Sequence, residues 1–384
     1  MTQQNRAMDD GDRDTARQLT HSQRDWLTVR RHMRAHRYDL AVGAARLYPE
    51  DLHVGDTPLL STVDWLPADP IPLDSISLQY LSDAPPTAVT GRDPAALDDV
   101  PMRPDGTRYA RYCDAIAELD PPAVFEDRPT YRLLRAGLAG SPRLEFGPGS
   151  YFDGVDVGDT CAHEYATAAL GKAVTQSLRA AIGDPCDPAR RPVNLAISAL
   201  TLRYDRAADT ATFPLHARGA AVGHAGGMYQ VLPVGVFQPA GPQPWNTDND
   251  FDLWRSVIRE YAEELLGASE DHGADTVPID YDAWPFAAAM TAALQDGRIR
   301  AHCLGLGVDP LTLATDLLAV VAIDAATYDE LFARAVAANT EGTVTATVPF
   351  TAETVERYAA HEPTQAAGAA VLRLAWQHRA ALLD

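Results

Sequence analysis

The chain has 384 residues, a formal net charge of −21 and 46% hydrophobic residues. That length exceeds one average domain and predicts two, with enough apolar content to bury a sizeable core. The acidic balance argues against nucleic acid as a partner, because a phosphate backbone needs a basic surface.

Residues 1–20 are polar with little to bury, so a disordered tail is expected, and they lack the apolar stretch of a signal peptide. From Ser22 to Leu47 the residues Trp26, Val29, Met33, Leu40 and Ala44 recur at helical spacing, and Pro49 ends the run. The opposite face carries Arg30, Arg31, His32, Arg34, His36 and Arg37. It suits either a phosphate- or partner-binding patch or a helix docked on an acidic body, and the overall charge favours the second. No second helix follows at a tight turn, so a helix-turn-helix DNA reader is not indicated. Residues 50–105 are dense in proline and aspartate, which leaves room for an edge strand at Ile76 to Leu81 and little else regular.

Helical spacing returns at Tyr109 to Leu119, residues 124–134 and 144–154 read as strand or loop, and a long helix is expected from Asp159 to about Ile182. His163-Glu164 would begin a zinc motif, but Thr167 stands where the second histidine belongs. His163 is therefore expected to be an interior or interface histidine. The Tyr, Arg and Asp residues of this stretch also suit the wall of a ligand site. Residues 183–192 hold three prolines and form the expected linker, giving an accessory domain at 21–185. Val193 to Arg203 and Ala211 to Arg218 are expected to pair as a hairpin. Further on, the pattern predicts a helix at Asp280 to Leu294 and paired central strands at Arg298 to Val308 and Leu317 to Ile323. A helix at Tyr328 to Asn339, a strand at Thr343 to Val348 and a last helix at Ala366 to Leu383 close the chain. Leu317 to Ile323 is the longest apolar run and is far too short to span a bilayer. Cys113, Cys161, Cys186 and Cys303 form no CxxC pair and read as reduced thiols, so a cytoplasmic location without a membrane partner is expected.

The most informative stretch is 250–267. Phe251, Trp254, Val257, Ile258, Tyr261 and Leu265 share one helical face, Asp248 or Asp250 can cap the start, and Gly267 stands where helices end. The other face carries Glu260, Glu263 and Glu264 at i, i+3 and i+4. Carboxylates that close repel by a few tenths of a kcal/mol per pair, roughly, unless a divalent cation that prefers hard oxygen ligands offsets them.

The Arg259-Glu-x-x-Glu-Glu pattern near Gly267, with Tyr229, Pro233 and Gly235 upstream, resembles the Nudix box. Val234 replaces one glycine of the family's Pro-Gly-Gly, the first box glutamate is absent at Gly241, and Pro242 to Asn249 is inserted before the helix. One extra leucine also precedes Gly267. The resemblance covers residues 193–384 and implies an α+β fold with a Nudix-like α/β/α sandwich and mixed sheet, preceded by the helical and irregular N-terminal domain. It further implies Mg²⁺ or Mn²⁺ and hydrolysis of a diphosphate bond in a nucleoside diphosphate-linked or related small molecule. Carried over, Glu263 and Glu264 are metal ligands, Glu260 is a ligand or the base that orients water, and Arg259 pairs with a box glutamate. Tyr229 and either Arg218 or Arg203 are candidate substrate contacts, with a surface arginine paired to an acid as the plainer reading of each arginine. Gln238, Asp250 or Asp252 could stand in for the missing acid. The departures keep a second class open, a non-catalytic module that senses a nucleotide-type ligand, and a third, a scaffold working through the N-terminal region. A homo-oligomer is compatible with the sequence.

Overall fold

The computed structural model describes residues 19–174, 176–218, 227–269, 272–335, 342–344 and 347–384. The expected tail therefore lies outside the described residues, apart from its last two positions. Helices α1 (His21–Ala35) and α2 (Arg37–Ala45) replace the single N-terminal helix, with the break at His36. Thr20 and Gln23 form a reciprocal capping box at the start of α1. The arginines of α1 dock on acids, as the charge balance favours: Arg30 meets Asp120 and Asp159, and Arg34 meets Asp120.

Strands β1 (Ile71–Pro72) and β2 (Ser77–Tyr80) are short, as the prolines require. Helices α3 (Pro94–Leu97) and α4 (Tyr112–Leu119) lead to strands β3 (Pro129–Gly137) and β4 (Arg143–Ser150). These join β2 in a three-stranded sheet ordered β2-β4-β3, with β2 on the edge. The expected helix from Asp159 to Ile182 is corrected. α5 (Tyr151–Ala169) starts eight residues earlier and is separate from α6 (Ser177–Ile182). Gly154 and Gly158 disguise its first half; in fact each is a close-contact residue, since a β-carbon would meet Asn194 Nδ2 at 2.5 Å or the Thr312 carbonyl at 2.5 Å.

Strand β5 (Leu195–Asp205) turns into β6 (Thr210–Phe213), confirming the hairpin. Pro214, which has no N–H, then splits the expected second strand, and β7 (His216–Arg218) pairs with β8 (Tyr229–Gln230) in a different sheet. β9 (Val234–Val236) follows a cis Leu232–Pro233 bond. The inserted segment forms α7 (Pro244–Asn249), and α8 (Leu253–Leu266) is the acidic helix. It is capped by Asp252 rather than Asp248 or Asp250, and Gly267 ends it in the left-handed conformation. α9 (Pro285–Gln295), β10 (Ile299–Val308), β11 (Thr315–Asp324) and α10 (Ala325–Leu331) come next. The expected extension of α10 to Asn339 falls partly outside the described residues. β12 (Gly342–Val344), β13 (Val348–Pro349), α11 (Ala352–Glu356), a π-helical turn, α12 (Ala366–Gln377) and α13 (Arg379–Leu383) finish the chain, with His378 dividing the predicted last helix.

The protein is thus α+β with mixed sheets. The large sheet runs β1-β10-β11-β5-β6-β13, with β9 also on β5; β11 and β5 are parallel and β10 and β11 antiparallel. Its strands alternate between two cores. Leu317, Ala319, Val321 and Ile323 face one core with Val257, Tyr261 and Met290. Leu318, Val320 and Ala322 face the other with Ala367, Val371 and Ala375. The first core also takes in Tyr131, Leu133 and Phe146 from the small sheet, so one apolar cluster joins residues on both sides of the linker. Main-chain bonds reinforce the seam, from Leu133 N to Val193 O at 2.9 Å and from Tyr131 N to Phe237 O at 3.3 Å. No helix among the described residues is long and apolar enough to cross a membrane, and all four cysteines are free and buried.

One buried bond sets how α8 sits on the sheet. Tyr261 Oη lies 2.6 Å from Thr201 Oγ1, which donates to Leu232 O at 2.7 Å. Tyr261→Phe is expected to cost about 1 kcal/mol in chemical denaturation with an unchanged denaturant slope.

Candidate functional site

A cleft of about 400 Å³ opens where the first turns of α5, the starts of β5 and β11, the strand β9 and one face of α8 meet. Both stretches of the chain wall it, with Tyr151, Gly154 and Asp159 on one side and Gly235, Glu260 and Glu263 on the other. The N-terminal stretch is therefore part of the site.

Strand β9 explains how α8 approaches. Pro233 O and Phe237 N bond to β5, so the N–H of Val234 points the other way, toward the helix. Glu264 Oε1 accepts that N–H at 2.9 Å. A carboxylate at this point satisfies an edge-strand donor that would otherwise be buried unmet. Glu264 is nearly buried and does not line the cleft. Glu260, one turn earlier, lies so close over Gly235 that any β-carbon there would overlap its carboxylate. A side chain at 235 would displace the Glu260 carboxylate from this position. Glu263 also lines the cleft and meets His272 Nε2 at 3.0 Å.

Among the described residues the side-chain hydrogen bonds of Arg259 go elsewhere than to a box glutamate, although the Glu260 charge acts on it. Its guanidinium donates to Tyr281 Oη at 2.7 Å and to Gln238 O at 2.6 Å, and lies 3.5 Å from Asp250 Oδ1. Asp250, fully buried, also accepts from Ala240 N at 2.8 Å and Tyr281 Oη at 2.8 Å. Burial would depress the Arg259 guanidinium, but Tyr281, Asp250 and Glu260 outweigh it and hold it above its ordinary value. The network pins the inserted segment between β9 and α8. Of the other expected contacts, Tyr229 is not among the cleft-lining residues and packs edge-on against Tyr358 at 5.2 Å. Arg203 forms a two-pronged pair with Asp329 at 2.8 and 2.6 Å, away from the cleft. The main chain of Arg218 pairs with Gly342, and its side chain lies outside the described residues. Gln238 lines the cleft and Asp252 caps α8. His163 is an interior residue held by Tyr112 Oη at 3.0 Å, its imidazole pushed down to about 3 by burial and by the charges of Arg30 and Lys172.

Sequence reasoning missed several cleft residues. Asn194 is fixed by Thr130 and by the carbonyls of Ser150 and Tyr151. Arg191 is buried and spends its guanidinium on Pro185 O, Pro192 O and Thr315 Oγ1. Leu313, at φ +57, holds a left-handed conformation that costs a bulky residue about 1–2 kcal/mol. Asp316 opens β11, lines the cleft at 3% exposure, and accepts from Ser198 Oγ at 2.8 Å. An acid leading an otherwise apolar strand was the available signal.

The cleft is acidic in effect. Glu126, Asp159, Glu260, Glu263 and Asp316 line it against three arginines: Arg128, which pairs with Glu126 at 3.6 Å, and Arg191 and Arg259, which donate to protein oxygens. Among the described residues no group of three or more His, Cys, Asp or Glu side chains is arranged to hold a metal ion. Two carboxylates in one cleft still match the way Mg²⁺ binds, through one or two protein carboxylates with water and ligand phosphate oxygens completing its shell. No protein-family model matches the chain, and no curated protein matches it.

Burial pushes the Asp316 carboxyl up to about 6, with Ser198 opposing and Asp309 adding to the rise. An acid whose folded value lies above its ordinary 3.8 is least costly when protonated, and the cost grows as pH rises through about 6. Asp316→Asn is therefore expected to raise stability by about 1–2 kcal/mol at pH 8, with the gain gone by pH 4. Thermal unfolding at both pH values checks this.

Proposed function

We propose that the cleft binds a small nucleotide-type diphosphate through a divalent cation on Glu260 and Glu263, and that the chain is a divergent Nudix-type hydrolase. The observation that carries this reading is the position of Glu260 against Gly235, with Glu263 in the same cleft. The sandwich of α8 and α9 on one face of the mixed sheet and α12 on the other supports the family reading of the fold. When bound, Mg²⁺ or Mn²⁺ would neutralise diphosphate charge and lower the pKa of a water molecule that attacks phosphorus.

The chain's own residues divide the remaining work. Glu260 and Glu263 hold the cation. Glu264 keeps α8 against β9, so that the helix cannot slide and carry the two ligands away. Arg259 is a positioning residue, fixing the backbone at Gln238 and the segment that replaces the missing acid at Gly241. A phosphate entering without a cation would meet more carboxylates than guanidinium groups, so binding should depend on metal.

A second reading is favoured by one observation, the wall that α5 contributes through Tyr151, Gly154 and Asp159. A ligand there would touch both stretches of the chain, which is what a non-catalytic sensing module needs. The two readings part on turnover. With Mg²⁺ or Mn²⁺, the wild type is expected to hydrolyse at least one member of a nucleoside diphosphate panel. Glu260→Gln with Glu263→Gln should reduce the rate at least a hundredfold while leaving the circular dichroism spectrum unchanged. Ligand binding that needs metal but gives no turnover would replace the hydrolase with the sensor. Binding unaffected by chelator would remove both.

A further inference from the structure

The large sheet divides the cleft's chemistry between its two faces. Asp316 shares its face of β11 with Leu318, Val320 and Ala322, the side covered by α12. Beyond the end of α12, Arg300, which pairs with Ala322 late in β11, donates to Leu383 O of α13 at 3.5 Å. The beginning of α12, with Gln365 just before it, is thereby set toward the Asp316 end. Gln365 N donates to Tyr229 O at 2.9 Å, which brings Gln230 to the same place, and both glutamines line the cleft. Glu260 instead lies on the α8 side of Gly235.

We propose that Asp316 is the specificity-determining residue of the cleft, accepting a hydrogen bond from a donor group on the organic part of the ligand, a sugar hydroxyl or a base amine. Three observations support it. Ser198 occupies only Oδ1, and among the described residues no other side chain bonds to Oδ2 and no cation pairs with the carboxylate. A carboxylate with 3% exposure and no counter-charge is costly to keep, which a purely structural role does not explain. Two amides, Gln230 and Gln365, line the cleft on its side of the sheet, and they suit a ligand bearing hydroxyl and amine groups. The phosphates would then point to Glu260 and Glu263, and the donor-bearing end to Asp316. The orientation rests on the diphosphate reading; the recognition of a donor group does not.

The test is calorimetric titration of the full chain, wild type and Asp316→Asn, with ADP, inosine diphosphate and inorganic pyrophosphate in Mg²⁺, and with adenosine in chelator. The expected result is a tenfold or greater loss of ADP affinity in the variant, with pyrophosphate within twofold. Loss of ADP alone identifies the base amine as the donor, and equal loss of inosine diphosphate identifies the sugar. Ser198→Ala, which leaves the acid but frees it to turn, should weaken ADP about threefold to fivefold. If pyrophosphate fails to bind but adenosine binds and is lost in Asp316→Asn, the donor site stands while the diphosphate reading falls. Equal effects on ADP and pyrophosphate, no effect on either, or no binding of any probe would overturn the proposal.

Discussion

Everything about the cleft depends on how closely α8 approaches the outer edge of β9. An edge strand leaves alternate N–H groups without a strand partner, and burying one costs about as much as a lost hydrogen bond. Glu264 meets that need at Val234, next to Gly235. The same glycine leaves room for Glu260. One spacing, two glutamates four residues apart on a helix, therefore serves structure at one position and faces the cleft at the other. Tyr261, three residues before Glu264, ties the helix to Thr201 and fixes its rotation.

That division of labour was only half legible in the sequence. The apolar face of α8, its Gly267 stop, the β5–β6 hairpin and the β10–β11 pair all follow from periodicity and turn residues. Nothing in periodicity distinguishes Glu264, which is buried against a backbone amide, from Glu263, which lines the cleft. The difference lies in a strand thirty residues away. Likewise Arg259 looks like a partner for its neighbouring glutamates, but Asp250 and Tyr281, brought in by the inserted segment and the loop after the helix, capture it. Gly154 and Gly158 mislead in the opposite sense. Glycine lowers helix propensity, so α5 appears to begin late, whereas tertiary packing against Asn194 and Thr312 overrides propensity.

The cleft also concentrates features that stability alone would not keep. Asp316 is a buried acid without a counter-charge, and Leu313 sits in a left-handed conformation a few residues before it. Strain and uncompensated charge gathered at one concave site, where two stretches of the chain meet, are features that the proposed binding role accounts for. By contrast Arg30, Arg34 and Arg203, which look free on a helical wheel or at a strand end, are paired with acids. In a chain of net charge −21 arginines find carboxylates easily, and Asp316 stands out as a buried acid that meets no cation among the described residues.

The central claim is that Glu260 and Glu263 hold a divalent cation at which a phosphate ligand docks. Electron paramagnetic resonance of Mn²⁺ added to the full chain with pyrophosphate measures this without reference to any reaction. The account predicts one bound ion in the wild type and none in the Glu260→Gln, Glu263→Gln variant at the same concentrations. The same bound-ion spectrum in both proteins would contradict it.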